Sequence, residues 1–172
     1  MKKNLLIAAM VLGFAVAANA QPFRIGGRVG SGFQAQAEYL YNDSNYIEGR
    51  FGMAWYNDYR EFIIGDFTLL TADFTVLHNW NVFNMDWTPS FGEWFFDAGV
   101  GLTVGGGARF VNLGVAGCAK LGVQLNDVPL RLAFDWTPAI GPAILYFPGA
   151  GAGAGFNKYG LANLGISCVY CF

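Results

Sequence analysis

The chain has 172 residues, of which 54% are hydrophobic, 17% are aromatic and 13% are charged, and its formal net charge is −2. This balance gives no basic face, so the composition argues against a nucleic-acid partner. No stretch after residue 20 approaches the 18 or more apolar residues of a membrane-spanning helix, so the hydrophobic residues must be distributed over shorter segments.

The first 20 residues have the pattern of a secretory signal peptide. Lys2 and Lys3 form a basic region, residues 5–17 form an apolar region, and Ala18-Asn19-Ala20 is a cleavage motif. A membrane anchor is the alternative, but it would need about 20 apolar residues. We therefore predict a signal peptide over the first 20 residues and one mature domain over the remaining 152, with 8 basic and 12 acidic residues and a net charge of −4.

From residue 23 onward the chain alternates with period 2 and shows no helical period, which predicts an all-β domain. The predicted strands are 23–30, 33–41, 46–56, 71–83, 94–105, 112–125, 129–137 and 159–172. Turn-forming residues lie at 43–45, 88–92 and 126–127. The predicted loops at the other end are 31–32, 57–70, 106–111 and 138–158, and the Gly-, Ala- and Pro-rich composition of the last predicts mobility.

The first hairpin has two interpretations. Apolar residues keep the odd positions from Phe23 to Tyr41, so one long strand kinked at Gly30 and Gly32 is possible. That arrangement would require another strand from 57–70 or from 143–156. A tight glycine-rich turn gives eight strands without an additional one, and we prefer it.

The charged residues of the predicted strands all lie on the parity opposite the apolar face. They are Arg24, Arg28, Glu38, Glu48, Arg50, Asp73, Asp97, Lys120, Arg131 and Asp135. Five are basic and five are acidic. A charge facing lipid near the bilayer midplane costs about 2–4 kcal/mol, so a lipid-facing surface should lack such residues.

These patterns predict an eight-stranded antiparallel up-and-down transmembrane β-barrel, preceded by a cleaved signal peptide. A barrel of this size is just wide enough for side chains to fill. We expect paired charges, with Glu48, Arg50, Arg131 and Asp135 as members, to plug the interior. A polar channel is one alternative. A soluble lipocalin-type barrel with the apolar face inside is another, because hydropathy alone does not say which face is inside.

The sequence offers no constellation that requires catalysis, a cofactor or a metal ion. His78 is the single histidine, on the outward parity, where an interfacial role is expected; a lipid-modifying enzyme using His78 is the alternative. Cys118, Cys168 and Cys171 form an odd set, and the last two point to opposite faces of one strand. We interpret all three as small apolar side chains rather than as a disulfide framework.

The last strand ends on an aromatic residue and carries apolar residues at every second position. Its outward residues include Leu164, Ile166, Cys168, Tyr170 and Phe172. This strand resembles the assembly signal of bacterial outer-membrane barrels.

The whole mature chain resembles the small OmpA/OmpX-type barrels, and more closely the "outer membrane protein beta-barrel domain" family of Gram-negative bacteria. The segments that carry the resemblance are 24–30, 46–51, 129–138 and 165–172. The resemblance implies export through the general secretory pathway, insertion by the barrel-assembly machinery, and contact with outer-membrane lipid. It implies no substrate. We expect a structural anchor or surface-interaction protein, with a narrow pore for ions or small solutes as the alternative.

Overall fold

The computed structural model describes residues 23–55, 70–107, 110–147, 151–157 and 159–172. The strands in this part of the chain are β1 (Phe23–Gly30), β2 (Gly32–Leu40), β3 (Asn45–Trp55), β4 (Leu70–Thr88), β5 (Gly92–Gly106), β6 (Phe110–Leu125), β7 (Leu130–Trp136), β8 (Ala139–Phe147), β9 (Gly151–Asn157) and β10 (Leu164–Cys171). A 3₁₀ turn over Tyr159–Ala162 precedes β10. None of the described residues belongs to a helix long and apolar enough to cross a membrane.

Eight of the strands close into a barrel. Each strand from β1 to β6 pairs antiparallel with the one that follows it, and β10 pairs with both β7 and β1. The closure continues to the end of the chain, where the Phe172 amide donates to the Phe23 carbonyl at 3.2 Å. The predicted all-β, eight-stranded antiparallel barrel is confirmed.

The register fixes the tilt of the strands. From Val29, the path of paired residues through β2, β3 and β4 reaches Gly106 in β5. The opposite path through β10, β7 and β6 reaches Phe96, ten residues away in the same strand. A stagger of ten residues around eight strands corresponds to a tilt of about 40° and a backbone radius of about 8 Å.

The two ends of the barrel differ. The terminal end carries both termini of the barrel and the turns at 41–44, 89–91 and 126–129, close to the predicted turn positions. The loop end carries the turn at Ser31 and the ends of the longer strands. The tight first hairpin is confirmed, because Val29 pairs with Phe33 across Ser31, and the single kinked strand is wrong. Most of the predicted loop 57–70 lies outside the described residues, and Leu70 begins β4.

Alternate residues of the strands give the barrel an apolar outer face. Large apolar side chains exposed on it include Ile25, Val29, Phe33, Ile47, Phe51, Phe74, Val100, Leu102, Leu113, Val115, Phe134 and Ile166. The exposed acidic and basic side chains of the described part of the chain are Asp43, Asp86, Glu93 and Asp127, and all lie in or close to turns at the terminal end. The polar parity therefore faces the interior and the apolar parity faces outward.

The predicted loop 138–158 is wrong. β8 and β9 form a hairpin there, with Gly141 paired to Asn157 and Phe147 to Gly151. β8 also continues the pairing of β7 with β6, and the break between β7 and β8 is short: the Gly117 amide donates to the Pro138 carbonyl at 2.8 Å. The seventh barrel strand therefore extends past Thr137, and the β8–β9 hairpin projects beyond the turn at Ser31.

The predicted final strand 159–172 begins too early. Residues 159–162 form the 3₁₀ turn, and β10 starts at Leu164. This turn lies between β9 and β10, and Pro138 lies between β7 and β8. The two breaks are adjacent, because the Thr137 amide donates to the Asn163 carbonyl at 2.8 Å. Trp136 lies at this break and donates its indole N–H to the Leu161 carbonyl at 2.7 Å.

Candidate functional site: the interior charge network

The ten charged residues predicted for one parity all face the interior of the barrel. Eight of them are buried, and Arg24 and Arg131, with side chains 15% and 11% exposed, lie near the terminal end. Burying charge in a protein interior is costly unless each group is paired and hydrogen-bonded. The positions of the partners therefore decide whether this interior is stable.

Seven of the ten form one continuous chain of ion pairs, here called the ladder. In order of contact its members are Arg24, Glu38, Lys120, Glu48, Arg50, Asp135 and Arg28. Basic and acidic residues alternate along it, so that every carboxylate contacts two cations. Long-range pairing of this kind connects β1, β2, β3, β6 and β7 across the barrel interior.

The ladder begins at the terminal end. Arg24 Nη1 lies 3.2 Å from Glu38 Oε2, and Lys120 Nζ lies 3.1 Å from Glu38 Oε1. The same ammonium lies 2.5 Å from Glu48 Oε2, which also accepts from the Asn79 amide at 2.6 Å. Lys120 thus links the carboxylates of two neighbouring strands, and the side chain reaches both from the opposite wall.

The ladder continues towards the loop end through Arg50. Its guanidinium pairs with Glu48, lies 3.4 Å from Asp135 Oδ1, and donates to the Thr137 hydroxyl at 2.9 Å. Asp135 in turn accepts from Arg28 Nε at 2.8 Å. Arg50 is therefore the central link, since its removal would leave two buried carboxylates with fewer cations.

Arg28 occupies space that a glycine provides. A Cβ built on Gly165 would lie 2.5 Å from Arg28 Cζ and 2.6 Å from Nη2. The guanidinium also donates to Gln34 Oε1 at 3.2 Å and to Asn163 Oδ1 at 3.1 Å. The ladder is thereby joined to the break that precedes β10.

A second cluster lies at the terminal end of the interior. Arg131 pairs with Asp97, which also accepts from the Tyr46 hydroxyl at 2.7 Å. The Arg131 guanidinium lies 3.4 Å from the centre of the Phe95 ring and 5.9 Å from the centre of the Tyr46 ring. The structure thus separates Arg131 from Glu48, Arg50 and Asp135, with which the sequence pattern grouped it.

The tenth charge, Asp73, lies closer to the loop end. Its carboxylate accepts from the Gln34 amide and from the Thr103 hydroxyl at 3.2 Å, and the Thr75 hydroxyl lies 3.4 Å away. Gln34 contacts both Arg28 and Asp73 and so connects this cluster to the ladder.

Sequence reasoning missed the neutral polar members of the network. Those that contact its charged groups are Gln34, Gln36, Tyr46, Thr75, Asn79, Asn81, Thr103, Thr137 and Asn163. Most occupy the same parity as the charges in their strands, and this shared parity was the signal that could have found them. Gln36, Thr75 and Thr137 contact a charged residue two positions away. The other partners could not be read from the sequence, because they lie on another strand or across a strand break.

The interior also contains an apolar cluster beside the ladder. Leu77, Ala116, Cys118 and Ala139 are buried together, and Leu77 has no exposed surface. These side chains lie in the interior beside the buried members of the ladder.

His78, the histidine considered for catalysis, lies on the outer wall, and the three cysteines are divided between the wall and the interior. The His78 imidazole is hydrogen-bonded to the Tyr41 hydroxyl and lies 5.9 Å from the Trp80 ring, between ring centres. The three cysteines are free, with Cys118 buried, Cys168 exposed and Cys171 partly exposed. No group of three His, Cys, Asp or Glu side chains within the described ranges could hold a metal ion.

The predicted assembly residues lie on the outer face of β10. Leu164, Ile166, Cys168 and Tyr170 are exposed, and the Tyr170 and Phe172 rings pack edge to face with centres 4.9 Å apart. β10 is also the strand that closes the barrel, since it pairs on both sides.

No family model, curated protein or solved structure matches this chain.

Proposed function

We propose that this protein is an outer-membrane β-barrel that anchors its loop end at a bacterial surface, with an interior closed by paired charges. The observation that carries the proposal is the reversed distribution of polarity: an apolar outer wall surrounds a buried, ion-paired interior. In a soluble barrel of this kind the apolar parity would line the core.

The outer wall favours a lipid environment. A soluble monomer rarely exposes contiguous apolar patches larger than a few hundred Å², whereas here the apolar residues encircle the barrel. A charge on a lipid-facing wall costs about 2–4 kcal/mol near the midplane, and the described wall carries none away from the turns. A lipid environment favours both the exposed apolar side chains and the absence of charge among them.

The dimensions agree with a bilayer. Barrel strands β1, β2 and β10 have eight or nine residues, and β7, with seven, continues as β8 beyond a short break. Nine residues that rise about 3.4 Å each at about 40° tilt extend about 23 Å along the barrel axis, close to the apolar band of about 25 Å in outer-membrane barrels. This fit supports a bilayer-spanning barrel. The short turns at the terminal end favour a periplasmic position for that end, because bacterial barrels have short periplasmic turns.

The ends of the chain support export and insertion. The signal-peptide pattern of the first 20 residues is typical of the general secretory pathway. The outward apolar residues of β10 and the terminal Phe172 would be recognised by the barrel-assembly machinery of a Gram-negative bacterium, as the resemblance to small outer-membrane barrels implies. In this proposal the chain acts as a rigid anchor for surface segments that include the β8–β9 hairpin, without a cofactor and without catalysis.

The first test is heat modifiability. Mature protein extracted in detergent should migrate differently on a semi-native gel before and after boiling, because a closed membrane barrel stays folded in mild detergent. A protein that is soluble without detergent and shows no shift would contradict the membrane proposal.

A conductance measurement separates a plugged barrel from a narrow pore. Ladder residues Glu48, Arg50 and Lys120 are buried in the centre, so planar bilayers containing the wild type should remain silent. Arg131→Ala widens the terminal end of the interior and should also stay silent, because the ladder remains. Steady conductance in the wild type that increases in Arg131→Ala would favour the pore.

A further inference from the structure

The interior opens at the terminal end into a polar cavity of about 160 Å³, here called the vestibule. The residues that determine its charge and shape include Arg24, Tyr46, Asn84, Glu93, Phe95 and Arg131. The share of liquid volume of one water is about 30 Å³, so the vestibule accommodates a ligand about as large as five waters. A volume of this size suits a small solute.

Two guanidinium groups form the deep part of the vestibule. Arg24 and Arg131 are mostly buried, and each uses one nitrogen to bind a carboxylate, Glu38 and Asp97 respectively. A guanidinium has five N–H donors. Within the described residues neither group donates to a further acceptor, so several donors of both remain available to a ligand.

Aromatic rings fix the orientation of these donors. The Arg131 guanidinium lies over the Phe95 ring, and the Tyr46 ring lies 5.8 Å from Arg24 Cζ and 5.9 Å from Arg131 Cζ. Stacking on a ring leaves the N–H edge of a guanidinium free in its own plane, which suits bidentate contact with a carboxylate. The deep part of the vestibule is thus arranged for one carboxylate.

The rim has the opposite charge. Glu93 is exposed and accepts from the Asn84 amide at 2.6 Å, and Asp43, in an exposed turn, also lines the cavity. These carboxylates disfavour a ligand with several negative charges and favour one that carries a cation outside its carboxylate. A small zwitterion meets both requirements.

We infer that the vestibule is a binding site for a small zwitterionic solute of the amino-acid type. The carboxylate of the solute contacts Arg24 and Arg131, and its ammonium lies towards Glu93. This site does not depend on the membrane proposal, because it requires only the closed barrel and its terminal end.

The test is isothermal titration of folded mature protein in detergent with three probes. Glycine carries both charges, N-acetylglycine has the carboxylate alone and represents the C-terminus of a peptide, and methylammonium has the cation alone. We expect one saturable glycine site. The other two probes should bind at least about tenfold more weakly than glycine, since each loses one charge-assisted contact.

Conservative variants assign the contacts. Arg24→Lys and Arg131→Lys keep the charge but lose the fork of donors, and each should weaken glycine binding about tenfold. Glu93→Gln should weaken glycine binding and leave N-acetylglycine unchanged. Asp127→Asn, in an exposed turn at the same end but outside the vestibule, is the control and should bind glycine as the wild type does.

Several results would overturn the inference. They are the absence of saturable glycine binding at millimolar concentration, equal affinity for glycine and N-acetylglycine, and undiminished glycine affinity in Glu93→Gln. Heat modifiability of each variant shows whether it is folded. Because Glu93 is exposed at the rim, Glu93→Gln decides the matter even if the arginine variants do not fold.

Discussion

The interior and the outer wall of this barrel are built from alternate residues of the same strands, yet they obey opposite rules. In β3, Glu48 and Arg50 are buried in ion pairs, whereas Phe51, the next residue, is 62% exposed. On the wall, apolar surface is tolerated wherever it faces outward. In the interior, each charge depends on particular partners from distant strands. At a wall position any apolar side chain therefore satisfies the requirement. At an interior position the side chain must also match particular partners.

Breaking the centre of the ladder should have the largest effect. Arg50→Met leaves Glu48 and Asp135 buried with one cation fewer each, and the loss of one partner of a buried ion pair costs about 3–5 kcal/mol. Urea unfolding in lipid vesicles measures the change. Arg24→Met is the matched control, because Arg24 lies at the partly exposed end and Glu38 keeps Lys120. Equal losses in both variants would contradict a ladder with a buried centre.

Placing a charge on the wall should have an intermediate effect. Phe51→Arg puts a cation on the proposed lipid-facing surface and should lower the free energy of unfolding in vesicles by about 2–4 kcal/mol. Val128→Arg adds the same side chain in an exposed turn at the terminal end and should change stability little. If Phe51→Arg proved as harmless as Val128→Arg, the wall would not face lipid.

Adding one methyl group should have the smallest effect, and that effect should differ between the interior and the outer wall. Gly165→Ala introduces a Cβ into the space of the Arg28 guanidinium, and we expect a loss of about 1–3 kcal/mol from overpacking. Gly49→Ala faces outward with no atom within 4 Å, and its effect should be close to zero. The urea midpoints of the two variants give the comparison. A harmless Gly165→Ala would mean that Arg28 moves without disturbing Asp135.

The β8–β9 hairpin shows where pattern reading failed. Pro142 lacks a backbone N–H, and residues 149–155 alternate Gly and Ala, both of which are depleted in strands. Local propensity therefore predicted a loop. In the structure β8 pairs with β6 and β9 pairs with β8, so hydrogen bonding to neighbours that are distant in sequence overrides the propensity.

Local sequence was sufficient to predict the alternation, the tight turn at Ser31, the positions of three further turns and the single parity that holds all ten charges. These features are local, because side chains alternate along a strand and turns need particular residues. Which parity faces inward, and which charges meet, depend on the closed sheet. Arg28 and Asp135 are 107 positions apart and Arg50 and Asp135 are 85 apart, and only closure of the sheet through β10 brings them into contact.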